Sequence, residues 1–271
     1  MRLSLVKHAV DDATDRLLDR EARWLRELGQ VEDLGGQIPE LLEEGTGADG
    51  RRFIVLGLPS AAALARSGET RAFTDCHGRF LASLGRARFR ATDFELSGCG
   101  EWLHGAMDQV KPFAAPAQLA ILQEAFHDCE TALLYWTGPY VVSQGDFAPW
   151  NIRMFGTQLF VSDWGRARTD ASPLDDVLHY LMIQRALRGT PVTARFLRAS
   201  MKRAHSFATR AYPDWSWRPQ VIGALTLVYL LGSVLHYALD KRSLDSNNPA
   251  ADPVVRAYWR ALERRAAWMP E

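Results

Sequence analysis

Gln144-Gly145-Asp146-Phe147-Ala148-Pro149-Trp150-Asn151-Ile152-Arg153-Met154-Phe155-Gly156-Thr157-Gln158-Leu159-Phe160-Val161-Ser162-Asp163 is the stretch on which the reading of this chain turns. Asp146 stands five residues before Asn151, and Asp163 twelve residues after it. The preceding Pro139-Tyr140-Val141-Val142-Ser143 is rich in β-formers and reads as a short strand. Gly145 permits a sharp turn, and Pro149 keeps residues 147–150 out of a helix. Residues 151–154 then face residues 158–162 across a turn at Phe155-Gly156-Thr157, the pattern of a β-hairpin. Asp163 leaves the end of that hairpin beside the loop that carries Asp146 and Asn151, so three oxygen-bearing side chains converge. Phosphoryl transfer from a nucleotide asks for such a set. One carboxylate holds the acceptor hydroxyl, and two further oxygens hold magnesium against the phosphates. Asp-Phe-Ala-Pro alone is an ordinary turn and Asp-Trp-Gly an ordinary strand exit; their spacing is what joins them.

At that spacing the segment resembles the catalytic and metal-binding loops of the aminoglycoside phosphotransferase and choline kinase family, small-molecule kinases with a protein-kinase-like fold. The family pattern is His-Gly-Asp, four residues, Asn, then a hydrophobic strand ending in Asp-Trp or Asp-Phe. This chain departs at one position, with Gln144 in place of His. The resemblance implies that Asp146 is the catalytic carboxylate and that Asn151 and Asp163 hold Mg2+. It gives Gln144 a supporting role, since an amide both donates and accepts hydrogen bonds. Pro173-Leu174-Asp175-Asp176-Val177 is similar to a later family segment whose Asp steadies the catalytic loop, which assigns that role to Asp176. The two acids also suit a helix N-terminus, where they face the positive end of the dipole.

A kinase further needs a lysine on the phosphates and a glutamate to hold it. Arg2-Leu3-Ser4-Leu5-Val6-Lys7 alternates as a strand. Residues 12–28 follow with Leu17, Leu18, Trp24, Leu25 and Leu28 near helical spacing and Glu21 among them. Lys7 and Glu21 are the positions that match the family's pair. Residues 38–43 and 51–58 read as two more strands. The second is similar to the strand that leads into the hinge of a kinase, which places backbone groups of Leu56 to Leu58 against the adenine of ATP. Gly45-Thr46-Gly47-Ala48-Asp49-Gly50 matches Gly-x-Gly-x-x-Gly, but a strand follows it where a dinucleotide site needs a helix. It also lies downstream of Lys7, so it reads as a hairpin turn. Six residues precede Lys7, too few for the front strands and the glycine-rich, phosphate-covering loop of a kinase lobe. A cut-down enzyme, a start farther upstream and a binding protein without turnover all fit that observation.

The expected architecture is α+β and protein-kinase-like. A reduced β lobe spans residues 1–60, and a mostly helical lobe spans 61–271 and carries the catalytic and metal-binding loops. Helices are expected at 117–134, 173–188, 191–210, 218–240 and 252–267, with a turn at Asp245-Ser246-Asn247-Asn248-Pro249. The formal net charge of zero hides an asymmetry. Residues 170–271 hold fourteen Lys and Arg against nine Asp and Glu, and the rest of the chain has the opposite balance. A basic later half suits a neutral or anionic acceptor, a small molecule or glycan, better than a polycation. Arg79, Arg86, Arg88 and Arg90 form a second basic run, but no nucleic-acid module accompanies them and no nucleic-acid partner is expected. Cys76, Cys99 and Cys129 lack metal-ligand spacing. Residues 221–239 are apolar but contain Thr226, Ser233 and His236, and read as a core helix rather than a membrane span. With no signal peptide in view, a cytoplasmic location is expected. A paired-carboxylate hydrolase has no motif to support it. Neither the acceptor nor the oligomeric state is legible.

Overall fold

A computed structural model describes residues 3–70, 72–242, 244 and 252–270. The turn expected at residues 245–249 lies outside them. In chain order the elements begin with β1 (Leu3–His8), α1 (Asp12–Leu28), β2 (Glu40–Thr46), β3 (Arg52–Leu58), α2 (Ala61–Arg66) and α3 (Asp75–Ala87). Then come β4 (Phe89–Thr92), α4 (Gly98–Val110), α5 (Pro116–Leu133), β5 (Gly138–Ser143), β6 (Ile152–Phe155), β7 (Gln158–Val161) and β8 (Arg168–Ala171). The chain closes with α6 (Asp175–Leu187), α7 (Ala194–Ala211), α8 (Pro219–Lys241) and α9 (Pro253–Glu263). Two compact units result: Met1–Arg88 with Val142–Arg168, and Phe89–Val141 with Thr169–Glu271. The stretch from Gln144 to Asp163 thus belongs with β1, α1 and β3. That partition differs from the lobe boundary near residue 60 drawn from motif order.

In the first unit, β1, β3 and β2 form an antiparallel sheet in that order. Directly opposed residues in such a sheet share a face. Lys7 lies opposite Ile54 and Leu5 opposite Leu56. Ile54 and Leu56 are buried, so this is the face that α1 covers, and Lys7 is carried onto it. Burial of each aliphatic chain contributes about 1.5–3 kcal/mol. α1 presents Leu18, Glu21, Ala22, Leu25 and Leu28 as one buried stripe. Its start is fixed by a capping box: Asp11 accepts from the Thr14 amide at 2.7 Å, and the Asp11 amide donates to Thr14 Oγ1 at 3.0 Å. Gly45 and Thr46 end β2, paired with Phe53 and Arg52, and residues 47–51 close the β2–β3 hairpin, so the glycine-rich segment turns the chain as expected. A second hairpin pairs β6 with β7 through Phe155↔Gln158, leaving Gly156 and Thr157 as its loop. Gly156 takes φ 62°, which a two-residue hairpin loop requires.

In the second unit, β4, β5 and β8 form a three-stranded sheet. The expected helices appear within a few residues of their anticipated limits, the last ending in a separate turn at Arg265–Ala267. α8 is buried nearly all round and packs against α4, α5, α6, α7 and α9. A helix apolar on every side belongs in the centre of a helical layer. Among the described residues, α8 is the one helix long and apolar enough to cross a membrane, and most of it is buried. Its polar groups are satisfied internally: Thr226 Oγ1 donates to the Ile222 carbonyl at 2.8 Å, and the hydroxyls of Tyr229 and Tyr258 lie 3.1 Å apart. Two members of the basic run find acids from distant sequence, Arg88 with Glu27 and Arg90 with Asp170, each at 3.2 Å.

Candidate active site

Of the candidate site residues Lys7, Glu21, Leu56, Leu58, Gln144, Asp146, Asn151, Asp163 and Asp176, all but Asp176 lie in the first compact unit. β1 delivers Lys7 and α1 delivers Glu21. Lys7 Nζ donates to both carboxylate oxygens of Glu21, at 2.9 and 2.8 Å, and to Asp163 Oδ1 at 3.2 Å. The Glu21 side chain is 2% exposed, Lys7 26% and Asp163 53%, so the cluster opens to solvent on the Asp163 side. Burial pulls the Lys7 pKa down, but the Glu21 and Asp163 carboxylates outweigh it, and the net shift is upward from 10.5. Lys7 is therefore a fixed positive charge across the whole physiological range. Glu21 also accepts from the Trp164 amide at 3.3 Å, which ties α1 to the chain just past Asp163. The Trp24 indole of the same helix donates to the Ala167 carbonyl at 2.9 Å and holds that segment a second time.

β5 ends at Ser143, and the loop that follows is held by Gln144. Its side chain is fully buried. Gln144 Nε2 donates to the carbonyls of Ser162 at 3.1 Å and Asp163 at 2.5 Å. Its Oε1 accepts from the Asp146 amide at 2.9 Å. One amide therefore joins the backbone at Asp146 to the backbone at Asp163. It needs both a donor and an acceptor end, and neither end depends on a protonation state. Gly145 has φ 82°, and a Cβ there would sit 2.2 Å from the Arg166 carbonyl oxygen, so only glycine fits between loop and strand exit.

Asp146 and Asn151 are linked directly. Asn151 Nδ2 donates to the Asp146 carbonyl at 2.9 Å and to Asp146 Oδ2 at 3.0 Å. The Asn151 carbonyl in turn accepts from the Ser162 amide at 2.9 Å and the Ser162 hydroxyl at 3.2 Å. Asp163 adopts φ 64°, a left-handed conformation that costs a non-glycine residue about 1 kcal/mol or more. The bonds to its carbonyl from Gln144 and to its carboxylate from Lys7 hold it there. Underneath, Phe147 stacks on Phe80 of α3 (5.9 Å between centroids, 12° between planes), and Phe80 lies 6.4 Å from Trp164. His77, buried and edge-on to Phe147, has its pKa lowered by burial to about 4.

Leu56 is paired on both sides, with Leu5 and with Leu41, so its backbone groups belong to the sheet. Leu58, at the strand end, is opposite Leu3 alone. Of these two residues, Leu58 has a paired strand on one side only. Asp176 is buried in the first turn of α6, in the other compact unit. Two features were missed in the sequence. Trp150, one residue before Asn151, is 45% exposed in a loop whose other apolar residues are buried. The aromatic layer of Phe80, Phe147 and Trp164 was invisible because its members are far apart in the chain; an indole beside Asn151 could have been noticed from order alone. Among the described residues no three His, Cys, Asp or Glu side chains gather as a metal site.

No protein-family profile matches the chain, and no curated protein matches it. Solved structures do. The GDP complex of wild-type aminoglycoside 2'-phosphotransferase-IIIa aligns at TM-score 0.57 and 16% identity, over 97% of this chain and 86% of that one. The apo form of a thermostable mutant of aminoglycoside phosphotransferase APH(4)-Ia aligns at TM-score 0.57 and 14% identity, over 96% and 87%. The gentamicin complex of APH(2'')-IIa aligns at TM-score 0.53 and 16% identity, over 98% and 86%. At these identities the likeness is one of fold: an α+β, protein-kinase-like fold of the kind aminoglycoside phosphotransferases have.

Proposed function

We propose that this chain is an ATP- and Mg2+-dependent phosphotransferase that acts on a hydroxyl of a small molecule or glycan. The observation that carries the reading is the Lys7–Glu21 pair bonded to Asp163 while Asn151 holds Asp146. In the proposed reaction the acceptor oxygen attacks the γ-phosphorus, the bond to the β–γ bridging oxygen breaks, and ADP leaves. Asp146 orients the hydroxyl and takes its proton. Its Oδ2 is steadied by Asn151, so the carboxylate is positioned before substrate arrives. Lys7, fixed by Glu21, places positive charge on the phosphates. Leu58 and the residues after it supply hinge contacts to the base, and Asp176 retains its supporting assignment.

The donor set fits magnesium. Asn151 turns its Nδ2 to Asp146, which leaves the amide oxygen, and the Asp163 carboxylate is half exposed. Two protein oxygens are what Mg2+ ordinarily takes when phosphates and water complete its shell. When bound, it would neutralise phosphate charge. We assign Trp150 to the acceptor side, as an exposed aromatic face beside the residue that holds Asp146. Trp150→Ala should raise the acceptor KM at least tenfold with little change in kcat or in nucleotide affinity.

The test is calorimetric titration of ATP with Mg2+ into wild type and Asp163→Ala. Metal-dependent binding lost in the variant supports the assignment, and absence of binding to wild type removes it. A second reading is a nucleotide- or partner-binding protein without turnover. It draws on β1, which carries Lys7 and is an edge strand of its sheet among the described residues. Nucleotide binding without product, across a panel of hydroxyl acceptors, would favour it.

A further inference from the structure

α7 is an amphipathic helix with an unusual outer face. Its inner face, Leu197, Ser200, Met201, Ala204, Phe207, Ala208 and Ala211, is buried, and α7 packs on α6 and α8. The remaining positions carry Arg195, Arg198, Lys202, Arg203, His205 and Arg210, all exposed, and no Asp or Glu occurs anywhere in the helix. Eighteen residues make a helix about 27 Å long, so these cations form one extended basic strip.

Eight arginines elsewhere in the protein are paired with acids, while the first four cations of the strip are not. Arg23, Arg26, Arg51, Arg52, Arg88, Arg90, Arg153 and Arg265 all meet carboxylates. Among the described residues, Arg195, Arg198, Lys202 and Arg203 form no ion pair; Arg198 donates to the Ala267 carbonyl at 2.7 Å. Like charges at three- and four-residue spacing on a helix repel one another, so the helix bears this arrangement at a cost that a polyanion would relieve. Between the cations the outer face holds Ala199, Ser206 and Thr209. These small side chains let the long cationic ones reach a plane; Phe196 is half-buried with the Arg185 guanidinium 4.8 Å over its ring, and His205 is the one exposed ring, so this face offers bases no row of stacking aromatics. Single-stranded nucleic acid is ordinarily gripped by such aromatics, whereas a row of lysines and arginines on a helix suits an anionic lipid surface.

We infer that the outer face of α7 is a docking surface for an anionic phospholipid bilayer, held by charge without insertion. This inference stands apart from the kinase reading, because none of its residues is placed in the nucleotide or acceptor site.

The test is co-sedimentation of the full chain with vesicles of phosphatidylcholine, with and without phosphatidylglycerol, at low and high salt. Binding is expected only with phosphatidylglycerol, and salt should reverse it. Arg195→Glu/Arg198→Glu/Lys202→Glu/Arg203→Glu should weaken the partition at least tenfold, with ATP affinity unchanged as a check on folding. Should four reversals unfold the chain, single Arg195→Glu is compared with Arg66→Glu, an exposed arginine on α2. The first should weaken binding several-fold and the second should leave it alone. No binding to phosphatidylglycerol vesicles, equal loss from Arg66→Glu, or displacement from vesicles by a lower concentration of duplex DNA than of free lipid headgroup would each overturn the inference. The last outcome would point to a nucleic-acid surface.

Discussion

Gln144→Glu is the most searching single change to this site, because it keeps size and shape and alters only the bonding. The amide donates to two carbonyls, those of Ser162 and Asp163, and accepts from the Asp146 amide. A carboxylate keeps the accepted bond, loses both donated ones, and sets negative charge against two carbonyl oxygens in a fully buried position. Two lost bonds that leave buried acceptors unserved cost about 1–3 kcal/mol each, so the expected loss is about 3–5 kcal/mol at neutral pH. For a chain of this size that corresponds to a melting temperature lower by roughly 10 °C. The effect should depend on pH in one direction. Burial disfavours the charged form, so the introduced carboxyl has a folded-state pKa above its unfolded value of about 4.3. Below that value it is protonated and donates one bond, and the penalty is smallest. The penalty grows as pH rises through the folded-state pKa and then levels off. Differential scanning fluorimetry of wild type and variant from acid to neutral pH measures it. A variant that melts within about 2 °C of wild type at neutral pH, or a difference that does not change with pH, would refute the clamp.

Other changes test separate parts. Glu21→Gln should weaken Mg-ATP binding about tenfold or more. It should lower stability by roughly 1–2 kcal/mol, less than for a fully buried pair because Lys7 is partly exposed; calorimetry and thermal melting read the two effects independently. Asp146→Asn should abolish phosphate transfer while ATP still binds, and turnover near the wild-type rate would remove Asp146 from its role. Phe80→Ala should cost about 3–5 kcal/mol, because it empties the layer under Phe147 and Trp164, and urea unfolding would show it. His77, lowered to about 4 in the folded state, makes the chain acid-sensitive. Its unfolded value lies near 6.5, so stability present above that pH is lost as pH falls towards 4, by up to about 3 kcal/mol. His77→Gln should flatten that slope in a pH series of melting curves.

The local chemistry of the site was written in the sequence. The Asp146, Asn151 and Asp163 spacing, the turn at Gly145, the β6–β7 hairpin and the helix that carries Glu21 all depend on neighbours within about twenty residues. Backbone preference and apolar period act over that range. For the same reason Gly45 to Gly50 could be read as a turn despite its nucleotide-like pattern. What only the tertiary structure decided involves residues far apart in the chain. Lys7 reaches Asp163 because the register of β1 on β3 puts it on the face that α1 covers. Trp24 reaches Ala167, and Glu21 the Trp164 amide, because two distant segments return to the same place. Pairing on both sides of β3 commits the Leu56 backbone to the sheet, which its place in the sequence did not show. Likewise the arginines at 88 and 90 found acids that order alone did not offer, while those of α7 face solvent. A sequence fixes which groups are present and how they repeat, but burial and the pairing of charges are set by surfaces that meet only when the chain has folded.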